Sequence, residues 1–119
     1  MNITTHDIQL KQGDDTQLRI RLTHKNGEPF VFPQVERVDL HACINKKVVL
    51  RLSSEEGSIL FLNEEKSELV LDIRHDMTAE ANWETADYDL QFIYTQGNRA
   101  KRQTVLQGII ELIPDYTHI

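Results

Sequence analysis

Apolar residues in this chain return at every second position, and that period decides what the chain can fold into. Leu18, Ile20 and Leu22 alternate with Gln17, Arg19 and Arg21. Leu69, Leu71 and Ile73 stand between Glu68, Asp72 and Arg74. Tyr88, Leu90, Phe92 and Tyr94 alternate with Asp89, Gln91, Ile93 and Thr95, and Leu106, Gly108, Ile110 and Leu112 repeat the pattern. Successive side chains of a strand point to opposite faces, so each run has one dry face and one wet face. No stretch has the 3.6-residue period of a long helix, which argues against a parallel α/β fold.

Turn residues divide these runs. Gly13-Asp14-Asp15, Lys25-Asn26-Gly27-Glu28-Pro29, Asn45-Lys46-Lys47, Ser53 to Gly57, Asn63 to Lys66 and Gln96-Gly97-Asn98 are all turn-forming. Asn-Gly in particular supplies positive φ at little cost. The spacing predicts about eight strands at intervals of roughly 8–12 residues, the pattern of an all-β sandwich or barrel. Phe30-Val31-Phe32-Pro33 is apolar but ends in proline, so it reads as an edge or a connection. Asp76 to Trp83 breaks the alternation. There Asp76 or Thr78 is expected to cap one or two turns of helix.

The segment Glu84-Thr85-Ala86-Asp87-Tyr88-Asp89-Leu90 narrows the architecture. It matches the tyrosine corner of immunoglobulin-like sandwiches, in which the hydroxyl bonds back to backbone a few residues upstream. The expected fold is therefore all-β: an immunoglobulin-like antiparallel β-sandwich of about seven to nine strands with one short helical turn. Residues 1–119 are expected to form a single domain. Trp83 and Tyr88 are its expected structural corner, with the Trp83 ring packed over the open end of the sandwich.

A chain of 119 residues is long enough to bury a core without a disulfide or metal. Its single cysteine, Cys43, cannot form an internal bridge, which fits a reducing compartment. The formal net charge of −6 disfavours phosphate backbones, so no nucleic acid is expected as a partner. No stretch approaches the roughly 20 apolar residues of a membrane-spanning helix. Met1 to His6 has neither a basic region nor an apolar one, so synthesis in the cytoplasm without a signal peptide is expected.

Little in the sequence suggests chemistry. The five histidines include no close pair with zinc spacing. His41 and Cys43 lie two apart on one predicted strand, which is two ligands and not a site. No Gly-x-Ser-x-Gly elbow or glycine-rich phosphate loop is present. The acidic pairs Asp14/Asp15, Glu55/Glu56 and Glu64/Glu65 lie in polar turns and read as solvated charge. The expectation is no catalytic residue, no metal and no cofactor. Candidate partner contacts are Phe30 and Phe32, the apolar stretch Ile59 to Leu62, and the basic cluster Arg99, Lys101 and Arg102 beside a turn.

The order of motifs carries a resemblance. Gln12-Gly13-Asp14-Asp15-Thr16 precedes a Leu-x-Ile-x-Leu strand, followed by the Asn26-Gly27-Glu28-Pro29 turn and a Val-x-Leu-x-Ala strand at 38–42. Met77-Thr78, Asp87-Tyr88-Asp89-Leu90 and the run Leu106 to Pro114 complete it. This order resembles the N-terminal domain of phage baseplate upper proteins and related prophage tail proteins. The resemblance implies a non-enzymatic structural or adaptor protein of a phage or prophage particle. Its implied partners are other phage structural proteins or copies of itself, in a homo-oligomer, with incorporation into a virion. In that family more chain usually follows the domain. Here Ile119 is the last residue, which shifts the expectation from host recognition towards packing or adaptor work. A ligand-binding sandwich, such as a carbohydrate-binding domain, is the alternative. It would need exposed aromatics along a groove.

Overall fold

Two β-sheets pack face to face, and nearly every buried side chain comes from an alternating run. The computed structural model describes residues 4–24, 26–29, 34–64 and 66–114. Among them are nine strands: β1 (Thr4–Thr5), β2 (Ile8–Lys11), β3 (Thr16–Arg21), β4 (Arg37–Ile44), β5 (Lys47–Ser53), β6 (Ile59–Phe61), β7 (Glu68–Ile73), β8 (Thr85–Gln96) and β9 (Arg99–Ile113). The larger sheet has the order β1-β9-β8-β4-β5, with β2 also on β9. The smaller has the order β3-β7-β6. The fold is the expected all-β sandwich. Phe30 and Phe32 lie outside the described residues.

One core fills the space between the sheets. Val38, Leu40 and Ala42 of β4 and Leu90 and Phe92 of β8 are fully buried, as are Leu69 and Leu71 of β7. Phe61 of the smaller sheet meets Phe92 of the larger edge to face, with ring centroids 6.2 Å apart. That geometry sets the positive rim of one ring against the negative face of the other. Trp83 is half-buried and packs against the same cluster.

Local chemistry sets the hairpins. Asn45 and Lys46 take φ of 49° and 69° between Ile44 and Lys47, the two-residue turn whose twist matches the flanking strands. At the β8–β9 turn Gly97 takes φ of 63°, and Gln96 faces Arg99. A register shift between Leu90 and Gln91 leaves both Val105 and Leu106 of β9 buried. Such bulges raise the local twist and bend the strand.

Two expectations need correcting. The strands are antiparallel except at the amino terminus, where β1 and β2 run parallel to β9. Sequence alternation is blind to this, because both directions use the same period. The expected short helical turn is present, but neither Asp76 nor Thr78 caps its start. It is a single 3-10 turn, His75–Met77, with no side-chain cap. Thr78 follows the turn as its C-cap residue, and its buried hydroxyl accepts a hydrogen bond from the Gly13 N–H at 2.9 Å.

Candidate functional site

The amino-terminal strands β1 and β2 pair with β9, and the residues between them meet β9 at a crowded point. Tyr88 sits opposite Gly108, whose missing side chain leaves room above β9. The Tyr88 hydroxyl passes through that room and donates to the backbone carbonyl of His6. Asp7 reinforces the contact by accepting the Ile109 N–H on Oδ1 at 3.1 Å, and the His6 N–H donates to Gln107 O at 2.8 Å. The bond expected at Tyr88 thus differs from that of a tyrosine corner. The hydroxyl reaches across the sheet to a residue 82 positions away, not back along its own approach. The cause is Gly108, which makes the distant carbonyl accessible. Burial, with the Asp7 carboxylate adding to it, pushes the Tyr88 phenol up to about 12. A neutral phenol suits an anchor, because only that form can donate.

The loops at the ends of the strands are tied by side chains. Gln12 donates to the carbonyls of Ala79 and Ala81 at 3.1 and 3.0 Å. Asp15 accepts the His75 N–H at 2.7 Å and lies 2.9 Å from its Nδ1. The backbone bond, then the ring bond, holds the Asp15 carboxyl below its usual range, and the Asp15 partnership raises the imidazole of His75. Further along, Arg37 Nε donates to the buried Asp39 carboxylate at 2.9 Å. Burial opposes ionisation of Asp39, but the hydrogen bonds from Arg37 and Ser53 prevail and lower its pKa. These groups tie loops to strands. Among the described residues no three His, Cys, Asp or Glu side chains are grouped to hold a metal ion, and no helix is long and apolar enough to cross a membrane.

Three surface features remain. The first is the distal β8–β9 hairpin. β4 pairs with β8 only as far as Ile93, and β1 joins β9 only from Leu106. Thr95 to Ala100 are all exposed, and among the described residues no third strand flanks this ribbon. The expected basic cluster sits here, but its members divide. Arg99 and Lys101 share the face of Gln96 and Tyr94, whereas Arg102 is on the opposite face beside Ile93, 3.4 Å from Gln91 Oε1. Spacing along the chain could not separate them without the hairpin register.

The second feature is the outer face of the larger sheet. Ile109 is 41% exposed there. Asp87 is its cross-strand partner, and Asp7 bonds to its backbone. Asp89 pairs with Gln107 and Glu111 with Thr85, one step along on either side. Residues Asp7, Asp87 and Ile109 line a shallow depression of about 490 Å³. Nothing in the sequence marked this cluster, because its members come from three strands. The third feature is the edge strand β6. Of the stretch Ile59 to Leu62, Ile59 is buried, while Leu60 and Leu62 are 50% and 45% exposed.

No family model matches the chain, and no curated protein does. Solved structures share this fold, and one example matches over almost the whole of both chains. It is the N-terminal domain of phage TP901-1 ORF48, with a TM-score of 0.61 and 12% identity, covering 93% of this chain and 99% of that one. The fold is thus that of a phage-protein N-terminal domain, the kind of domain the motif order resembles. A 2,6-sialyltransferase from Photobacterium sp. JT-ISH-224 overlaps 94% of this chain but only 18% of its own, at 11% identity and a TM-score of 0.37. So loose a likeness carries no argument.

Proposed function

We propose that this chain is a non-enzymatic structural or adaptor protein of a phage or prophage particle, acting in the tail or baseplate through protein–protein contacts. The observation that carries the reading is the two-way coverage with the phage TP901-1 ORF48 domain. It agrees with the motif order running from Gln12 to Pro114. The hydrogen-bonded side chains described above tie loops and strands to one another, as a building block requires. The carbohydrate-binding alternative is not favoured. The depressions next to His6 and Ile109 have Tyr88 as their one aromatic, and its ring is buried.

The test is particle composition. Particles induced from a lysogen that encodes the chain are purified by density gradient and analysed by mass spectrometry. The chain is expected at a fixed ratio to the other tail proteins, and deleting its gene should yield defective or non-adsorbing particles. Absence of the chain from intact, fully infectious particles would refute the proposal.

A further inference from the structure

We infer that the basic tip of the β8–β9 hairpin docks on the acidic depression at Ile109, on the outer face of the larger sheet, in a second copy of the chain. The hairpin is chemically one-sided. Between Asp89 and Glu111 there is no acidic residue, although the chain as a whole has a formal net charge of −6. Arg99, Lys101 and Arg102 supply the only charges in that stretch, around an exposed turn and the small side chain of Ala100. Arg99 and Lys101 project from one face and Arg102 from the other, so the ribbon can engage acidic groups on both sides.

The complementary surface lies on the same two strands. Exposed Ile109 is an apolar centre with Asp7 and Asp87 beside it. One step further along the strands stand Asp89, paired with His41 on its other side, and Glu111, which accepts from Gln9 at 3.2 Å. The carboxylates alone would identify no partner. The acid-free hairpin of the same chain does, because its charge complements an acidic depression. An apolar centre within a charged rim is also how protein interfaces are commonly built.

Arg99 and Lys101 cannot reach the depression within one molecule, whereas Arg102, on the outer face opposite Ile93, already donates to Gln91 of its own chain at 3.4 Å. Asp87 and Gly97 are ten residues apart on the continuous β8 ladder, which separates them by roughly 33 Å at the strand rise. Tip and depression are therefore held apart by the same rigid pair of strands, and the tip must look to a neighbour. Exchanged reciprocally by two copies, the contact closes a two-fold dimer, and made in one direction only it propagates into a ring or a filament. This names a partner within the particle role proposed above. Its failure would leave that role standing, since particle composition tests the role separately.

Sedimentation velocity on the purified full chain tests the contact, at about 25 mM and about 500 mM salt, between which the Debye length falls from roughly 20 Å to about 4 Å. Wild-type protein should associate with concentration at low salt and dissociate at high salt. The arm variant Arg99→Glu/Lys101→Glu/Arg102→Glu and the face variant Asp87→Lys/Asp89→Lys should each remain folded by circular dichroism. Each should weaken association by more than about tenfold, because like charges then meet. Mixed in equal amounts, the two variants should associate again, since the reversed arm of one matches the reversed face of the other. A wild-type chain that stays monomeric at low salt would overturn the inference. So would association that survives both reversals, or a mixture of the folded variants that stays monomeric.

Discussion

Replacing Gly108 by alanine should destabilise the protein, although the same change at an ordinary strand position does the opposite. Alanine restricts the unfolded chain and usually adds about 0.4–1 kcal/mol of stability where the backbone tolerates it. At Gly108 the backbone has no room for a methyl group. A Cβ there would overlap the His6 carbonyl oxygen, lie 2.8 Å from its carbon and 3.0 Å from Asp7 Oδ1. Two of the three obstacles are backbone atoms of a neighbouring segment, so no rotamer change relieves them. Overpacking of this kind costs about 1–3 kcal/mol. Moving the carbonyl also breaks the Tyr88 hydrogen bond, a further loss of about 1 kcal/mol. A ceiling comes from releasing the strand altogether, which exposes Ile8 and Leu10, now 4% and 2% exposed. Each buried aliphatic of that size is worth about 1.5–3 kcal/mol. The expected net loss is about 2–4 kcal/mol, inside that ceiling. With an m-value near 2 kcal/mol/M it lowers the urea midpoint by about 1–2 M. Gly108→Ala combined with Tyr88→Phe should cost less than the two single changes added, because both act on the same carbonyl. Gly57 is the control. A Cβ added there meets nothing within 4 Å, but φ is 80°, so its alanine variant reads backbone strain alone. A Gly108→Ala midpoint equal to or above wild type would refute the account of how the amino-terminal strand is held.

Tyr88 should be the last of the three tyrosines to ionise when absorbance at 295 nm is followed, near pH 12, and the late step should vanish in Tyr88→Phe. Its folded pKa lies above the unfolded value of about 10, so the stability it confers is intact below pH 10 and is lost as pH rises towards 12. The His75–Asp15 pair behaves oppositely at its two ends. His75, raised above 6.5, supports the fold until pH passes its raised pKa, while Asp15, lowered below 3.8, supports it until acid reaches its depressed pKa. An NMR titration should show His75 falling back to an ordinary histidine value in Asp15→Asn, and an unmoved His75 would remove the pairing. Lys46→Gly should stabilise the fold by about 1 kcal/mol and raise the urea midpoint accordingly, since Lys46 holds φ of 69° where glycine has no steric cost. A fall in the midpoint would show that the lysine side chain stabilises that turn more than its backbone strains it.

Which parts of this fold were legible in the sequence depends on whether the cause was local. Strand identity is local. The runs at Leu69, Tyr88 and Leu106 became β7, β8 and β9, with their alternate residues buried. Turn chemistry is also local, so Asn45-Lys46 and Gly97-Asn98 lie where the hairpins close. Thr78 shows the limit. Its propensity to cap is a local property, but the bond it makes is to Gly13, 65 residues away. The candidate contact surfaces followed the same rule. Arg99, Lys101 and Arg102 were visible as a cluster, whereas the carboxylates around Ile109 were not.

The order of amino acids alone was enough to make the chain β, to mark where most of its strands begin and end, and to say which face of each is dry. A period of two follows from the pleat of one strand and needs no partner. The tertiary structure was needed to decide that β1 and β2 run parallel on β9, that Tyr88 serves a carbonyl 82 residues away, and that Asp7 and Asp87 come together at one exposed isoleucine. Those outcomes depend on which strands become neighbours and in what register. Register is set by packing the whole core at once, and no single segment contains that information.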